Sequence, residues 1–199
     1  MNTPNKLSLM RILLVPPFIA FMLIDAIPFN YLWALILFAV ASLTDMIDGK
    51  LARKYNLITD FGKFLDPLAD KILVTSALIC MVELGLAASW AVAIIVAREF
   101  AVSGLRLVAV GSKEKVVIAA GIWGKLKTAV TMAAIVIIFV MQLLCQFNVI
   151  SDLQAGSSSA LQFPVSIIGN ILIYISAALT VISGAQYIWH YRGVLKNAK

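Results

Sequence analysis

The sequence predicts an all-α integral membrane protein, a bundle of six transmembrane helices with both termini in the cytoplasm. Three observations carry that expectation. Of the 199 residues, 62% are hydrophobic, where a soluble domain is nearer half apolar. Only 13% are charged, about half the usual share, so a water-soluble fold could not cover the apolar surface. The basic residues gather in alternate connections between six apolar runs, each near the roughly 20 residues that cross a bilayer.

The first run, Leu7–Ile24, is preceded by Thr3 as an N-cap and Pro4 at the first helical position. Pro16 and Pro17 lie inside it and are expected to kink it. It has no small-residue cleavage site and leads into further apolar runs, so it is not read as a removed signal peptide. The second and third runs, Tyr31–Ala52 and Phe61–Leu84, flank a short polar connection at Lys54–Asp60. The fourth is Ser89–Val110 and the fifth Gly121–Phe147. The stretch NVISDLQAGSSSALQF is polar and rich in small residues, and reads as an external loop before the sixth run, Pro164–Tyr191. Trp33, Trp90 and Trp189 stand near run ends, as in an aromatic belt. No repeat or break in composition divides the chain, so residues 1–199 are expected to form one domain.

Orientation follows from charge. Lys6 and Arg11 lie before and within the first run; Lys50, Arg53, Lys54 and Lys63 surround the second connection; Lys113, Lys115, Lys125 and Lys127 surround the fourth; Arg192, Lys196 and Lys199 follow the sixth run. The first, third and fifth connections contain no Lys or Arg, and carry Asp25, Glu83 and Asp152 instead. Cytoplasmic connections carry the excess of Lys and Arg, which puts the even connections and both termini on the cytoplasmic side of the cell membrane. The net charge of +6 therefore reads as topology signals and anion contacts, and nucleic acid is excluded as a partner. Cys80 and Cys145 belong to no metal-binding spacing and read as small buried hydrophobes. His190, at the end of the last run, reads as interfacial.

The chemistry gathers in LTDMIDGKLARKYNLITDFGKFLDPLADK, residues 43–71, which holds five of the ten acidic residues. Asp45 and Asp48 are three apart, and Asp66 and Asp70 four apart, so each pair shares a helix face. At about 1.5 Å per residue, Asp48 and Asp45 lie roughly 6 and 10 Å below Ala52, and Asp66 and Asp70 roughly 8 and 14 Å below Phe61. In an antiparallel hairpin the four carboxylates meet at similar depths. They cannot all stay ionised without cations. Lys or Arg partners are one answer; divalent metals are the other, and oxygen-only ligands suit magnesium or manganese. Carboxylates within a membrane are costly and point to function more than to a structural salt-bridged hairpin. Gly49 and Gly62 flank the cluster, Ala52 leaves space on the same face, and Arg53 adds a cation at the mouth, a set that suits a diphosphate ligand.

The ordered string Asp45-x-x-Asp48-Gly49-x-x-Ala52-Arg53, eight residues, then Gly62-x-x-x-Asp66-x-x-x-Asp70 resembles the complete motif of the CDP-alcohol phosphatidyltransferases. The six-helix layout is similar too. That resemblance implies the family's fold and a homodimer. It implies that Asp45, Asp48 and Asp66 bind two metal ions holding a CDP-lipid diphosphate, one ligand bridging both ions. Asp70 would complete the cluster and act as general base on the acceptor alcohol. Gly49, Ala52 and Gly62 would make room for the cytidine, and Arg53 would contact phosphate.

Two further stretches bear on the acceptor. In VAREFAVSGLRL, Glu99, Ser103 and Arg106 share a helix face. In GIWGKLKTAVTM, Lys125, Lys127 and Thr128 lie at a helix N-terminus on the aspartate side. Arg106, Lys125 and Lys127, with Ser103 and Arg98, form a candidate anion pocket. Lys125 and Lys127 are two apart and point in different directions, so one of them reads as an anchor. Arg98 and Glu99 read equally as a structural pair with other helices. These stretches, and Asn5-x-x-Ser8-x-x-Arg11 at the start, resemble the family members that use glycerol 3-phosphate, with Ser8 for their Thr and Thr131 where they have Gln. The implied reaction transfers a phosphatidyl group from CDP-diacylglycerol to glycerol 3-phosphate and releases CMP. Inositol phosphate, serine or a second phosphatidylglycerol are rival acceptors. An intramembrane prenyltransferase would use different aspartate spacings. A cation transporter would leave Gly49, Ala52 and Arg53 unexplained.

Overall fold

A computed structural model describes the backbone of residues 3–54, 60–111, 121–152 and 162–196, and the side chains of residues 8–44, 67–105, 121–147 and 165–189. Among the described residues the secondary structure is entirely helical. The six helices are α1 (Thr3–Leu23), α2 (Asn30–Lys54), α3 (Asp60–Glu83), α4 (Ser89–Gly111), α5 (Ile122–Asp152) and α6 (Gln162–Lys196). Each covers one of the six apolar runs. The α5 and α6 stretches Ile122–Phe147 and Val165–Trp189 are long and apolar enough to cross a membrane, and Ser8–Leu23 and Asn30–Thr44 are shorter apolar stretches.

Helix α1 continues through Pro16 and Pro17. Two details differ from the sequence reading. Helix α5 extends to Asp152, so the first five residues of the expected external loop, 148–152, are helical. Val149 and Ile150 explain the extension, since they prolong an apolar run that polar Asn148 interrupts for only one residue. Helix α6 is likewise longer at both ends than its apolar run.

Helix α1 packs against α2 and α3, α6 packs against α4 and α5, and α2 and α3 complete the bundle by touching α5 and α4. Among the described residues, the apolar core lies toward the ends of the helices remote from the aspartate hairpin. Its centre is a ring cluster: Phe18 of α1, Phe38 of α2 and Phe139 of α5 have centroids 5.5–6.0 Å apart. Cys80 and Cys145 are buried in the same core, as small hydrophobes would be. The outer surface is apolar as well. Leu13, Ile79 and Ile122 are exposed, as are Trp33, Trp90 and Trp189. Such a surface suits lipid better than water.

Polar links tie the helices at both levels. Gln146 Nε2 of α5 donates to Asn30 Oδ1 of α2 over 2.8 Å. The short turn between α3 and α4 is closed by Leu86 N donating to Met81 O at 2.8 Å, with Gly85 at a φ of 69°. Only glycine enters that left-handed region without strain. Ser166 Oγ of α6 donates to Gly85 O over 2.9 Å and fixes α6 against the turn.

Candidate active site

Helices α3, α4 and α5 line an open cavity of about 590 Å³. Helix α3 contributes Pro67, Asp70 and Lys71; α4 contributes Arg98, Glu99, Val102 and Ser103; α5 contributes Lys125, Lys127 and Thr128. The spacings explain how. Asp70, one turn from Pro67, and Lys71 come to one side of α3, and Lys71 Nζ donates back to Pro67 O over 3.4 Å. Glu99 and Ser103 are one turn apart on α4, and the Ser103 hydroxyl donates to Glu99 O over 2.8 Å. Lys125 and Lys127 lie in the first turns of α5, where the helix dipole adds to their positive charge.

The charges are arranged in pairs. Lys127 is buried, and its ammonium forms an ion pair with Glu99 Oε1. Arg98 Nη1 is 3.9 Å from the same oxygen, and Arg98 Nη2 donates to Ser183 Oγ of α6 over 2.7 Å. Ser183 precedes Gly184, where an added Cβ would lie 3.1 Å from Arg98 Cγ, so the glycine leaves room for the arginine. Below Lys127, the Thr131 hydroxyl donates to Lys127 O at 2.8 Å and pairs with the Ser176 hydroxyl of α6.

The structure therefore brings Asp70, Arg98, Ser103, Lys125 and Lys127 to one cavity. Lys125 is exposed and Lys127 buried, so the two lysines do differ in setting, while both line the cavity. Arg98 lines it with its guanidinium engaged by Glu99 and Ser183. Asp45, Asp48, Gly49, Ala52 and Arg53 lie in the last turns of α2, Gly62 and Asp66 in the first turns of α3, and Arg106 near the end of α4. Their side chains lie outside the described residues, as does that of His190.

Sequence reasoning assigns two residues too small a part. Glu99 reads there on a polar face with Ser103 and equally as a structural partner; it is a carboxylate in the cavity wall and the counter-ion of Lys127. Its i, i+4 relation to Ser103 is the available signal. Arg11 reads as a topology charge and, with Ser8, as part of the Asn5-x-x-Ser8-x-x-Arg11 stretch; its side chain is fully buried, as is that of Ser8. The i, i+3 spacing of these two polar residues in an apolar helix carries that information.

A divalent cation fits the chemistry of the hairpin, because its donors are carboxylates and residues 43–71 contain no His or Cys. Among the described residues no group of three His, Cys, Asp or Glu side chains could hold a metal; three of the four hairpin aspartates lie outside them.

A charged cavity that includes Asp70, set in an otherwise apolar helical bundle, suits an enzyme of membrane-borne substrates. Residues 1–182 match the CDP-alcohol phosphatidyltransferase family, and the chain belongs to that family, whose members are generally dependent on divalent metals. The chain is 42% identical over 197 residues to the CDP-diacylglycerol–glycerol-3-phosphate 3-phosphatidyltransferase of Bacillus subtilis (strain 168), covering 94% of this chain and 93% of that one. Proteins of the same name from Rickettsia bellii (strain RML369-C) and Rickettsia typhi (strain ATCC VR-144 / Wilmington) are 36% and 38% identical over 186 residues. Each match covers 94% of this chain and 93–94% of the relative.

Proposed function

We propose that the chain transfers the phosphatidyl group of CDP-diacylglycerol to glycerol 3-phosphate, giving phosphatidylglycerophosphate and CMP. The observation that carries this reading is the cavity between α3, α4 and α5, where Lys71, Arg98, Lys125 and Lys127 face Asp70 and Glu99. Among the described lining residues, four cations against two carboxylates leave two positive charges, which suits a phosphomonoester dianion. Serine carries no such group. Inositol phosphate does, and the names of the relatives favour glycerol 3-phosphate over it.

In the reaction, the terminal hydroxyl of the acceptor attacks the phosphorus that carries diacylglycerol. A P–O bond forms to that hydroxyl, the P–O bond to CMP breaks, and the hydroxyl proton passes to the Asp70 carboxylate. An alcohol is a poor nucleophile at neutral pH, so a carboxylate that takes the proton as the bond forms lowers the barrier. Lys127, Lys125 and Arg106 hold the acceptor phosphate, with Ser103 and Arg98 in the same wall, and so aim the far hydroxyl at the lipid. Asp45, Asp48 and Asp66 would hold two magnesium or manganese ions, with Asp70 completing the cluster beside them. When bound, these neutralise the diphosphate and the departing CMP. Gly49, Ala52 and Gly62 leave room for the cytidine, and Arg53 meets a phosphate.

All six helices cross the cell membrane in this reading, with both termini and the cavity on the cytoplasmic side. Residues 1–199 act as one domain, and two copies form a homodimer. The test is an acceptor panel. Purified chain is given CDP-diacylglycerol and magnesium, and CMP release is measured with glycerol 3-phosphate, inositol phosphate, serine and phosphatidylglycerol. Release with glycerol 3-phosphate well above the others is the expected result. Preference for any other member of the panel would overturn the acceptor assignment.

A further inference from the structure

A second, smaller cavity of about 70 Å³ lies further along the same three helices, away from the aspartate hairpin, among Leu78, Ile95, Val96 and Met132. Asp70, Lys71, Glu99, Lys127 and Thr128 line both cavities and so form the wall between them. Lys127 is set in that wall with its side chain only 6% exposed. An ammonium so buried among apolar neighbours is costly without a counter-charge, and Glu99 supplies one. The Glu99 carboxylate is in turn approached by Arg98 Nη1 at 3.9 Å, and Arg98 is anchored by its 2.7 Å bond to Ser183 of α6.

We propose that Glu99 is a positioning residue for the acceptor, holding the Lys127 ammonium in the wall where an anion in the larger cavity can reach it, while Ser183 and Arg98 hold Glu99 in turn. This rests on the reading of the cavity as the acceptor-phosphate site. Lys71, Arg98 and Lys127 share the wall with two carboxylates, Asp70 and Glu99. Remove Glu99, and Asp70 is the remaining carboxylate among these lining residues. The long, flexible lysine stem then turns its ammonium toward Asp70. The anion loses its cation, and the general base gains an unwanted partner.

The sign of the effect separates this role from simple electrostatics. Taking a negative charge out of an anion pocket ordinarily strengthens anion binding. A positioning role predicts the reverse. The experiment uses the whole chain in detergent, with inorganic phosphate as the probe in calorimetry and both substrates varied in steady-state kinetics. Glu99→Gln keeps the shape and removes the charge. It should weaken phosphate binding about tenfold or more, and raise KM for glycerol 3-phosphate by a similar factor. KM for CDP-diacylglycerol should stay within about twofold. Glu99→Asp should recover part of the loss, and Ser183→Ala should act in the same direction with a smaller effect.

Unchanged or tighter phosphate binding by Glu99→Gln overturns the proposal, and so does a parallel rise of both KM values. If Glu99→Gln fails to yield folded protein, Ser183→Ala decides: unchanged phosphate affinity there overturns it. Should the wild type bind phosphate in a Glu99-dependent way yet release no CMP with glycerol 3-phosphate, the acceptor reading fails and the positioning role stands. If CMP is released with a KM indifferent to Glu99, the acceptor reading stands and the positioning role falls.

Discussion

Asp70 is the residue in which the two halves of the site meet. It belongs to the aspartate hairpin by sequence and to the cavity between α3, α4 and α5 by position. Asp66, one turn earlier on α3, belongs to the hairpin by sequence, and its side chain lies outside the described residues. We propose a division of labour between the two. Asp70→Asn, which keeps the shape and removes the base, should lower turnover by about a hundredfold or more while CDP-diacylglycerol still binds with metal. Asp66→Asn should lose turnover and also weaken metal-dependent binding of the nucleotide lipid. Equilibrium binding of CDP-diacylglycerol with and without magnesium, beside CMP release, makes the comparison. Equal binding defects in both variants would undo the assignment of roles. The aspartates are legible in the sequence because their chemistry is written in i, i+3 and i, i+4 spacings along one hairpin. The pairing of Lys127 with Glu99, and of Arg98 with Ser183 at a separation of 85 residues, is not. Those pairs depend on which faces of α4, α5 and α6 meet, and no local spacing encodes that.

At the scale of elements, the helices themselves are legible, because an apolar run near 20 residues in length has few other ways to satisfy its backbone in lipid. Their ends are less so. Residues 148–152 read as loop from Asn148, Ser151 and Asp152, yet they prolong α5, since Val149 and Ile150 continue its apolar run. Contacts between elements are also hidden. Gly169 of α6 carries no turn or motif signal, yet a Cβ built there would lie 2.6 Å from the backbone oxygen of Leu86, in the turn joining α3 to α4. A backbone atom cannot rotate aside, so α6 would have to withdraw and strain the bond from Ser166 to Gly85. Helix propensity alone favours alanine over glycine by about 1 kcal/mol. Overpacking of this kind costs about 1–3 kcal/mol and outweighs it. Gly169→Ala should therefore lower the melting temperature in detergent by several degrees, on the order of 2–10 °C. Gly104→Ala, where nothing lies within 4 Å of the added carbon, is the control and should leave stability equal or higher. A Gly169→Ala variant as stable as that control would show that α6 does not rest on the turn.

The whole molecule must solve a problem of access: one substrate is a lipid, while the acceptor and CMP are charged and water-soluble. The fold answers by giving the bundle two unlike ends. Phe18, Phe38 and Phe139 fill one part with apolar packing, and the other part holds the ionic wall around Asp70, Glu99 and Lys127. The end with the ionic wall is the end at which the second and fourth connections lie, and these carry the clusters of Lys and Arg. The opposite connections, before α2 and before α4, carry none. If charge sets orientation as it does in other multi-pass proteins, the ionic end faces the cytoplasm, where a soluble phosphorylated acceptor can enter. Cysteine labelling of intact cells tests this directly. In a background with Cys80 and Cys145 replaced by alanine, a membrane-impermeant maleimide should modify Ala88→Cys, in the connection before α4, without opening the cells. It should modify Ser112→Cys, just after α4, and Asn197→Cys only once the membrane is permeabilised. The reverse pattern would place the cavity outside the cell. Labelling of Ala88→Cys and Ser112→Cys from the same side would mean that α4 does not span the membrane, and the six-span arrangement would fall with it.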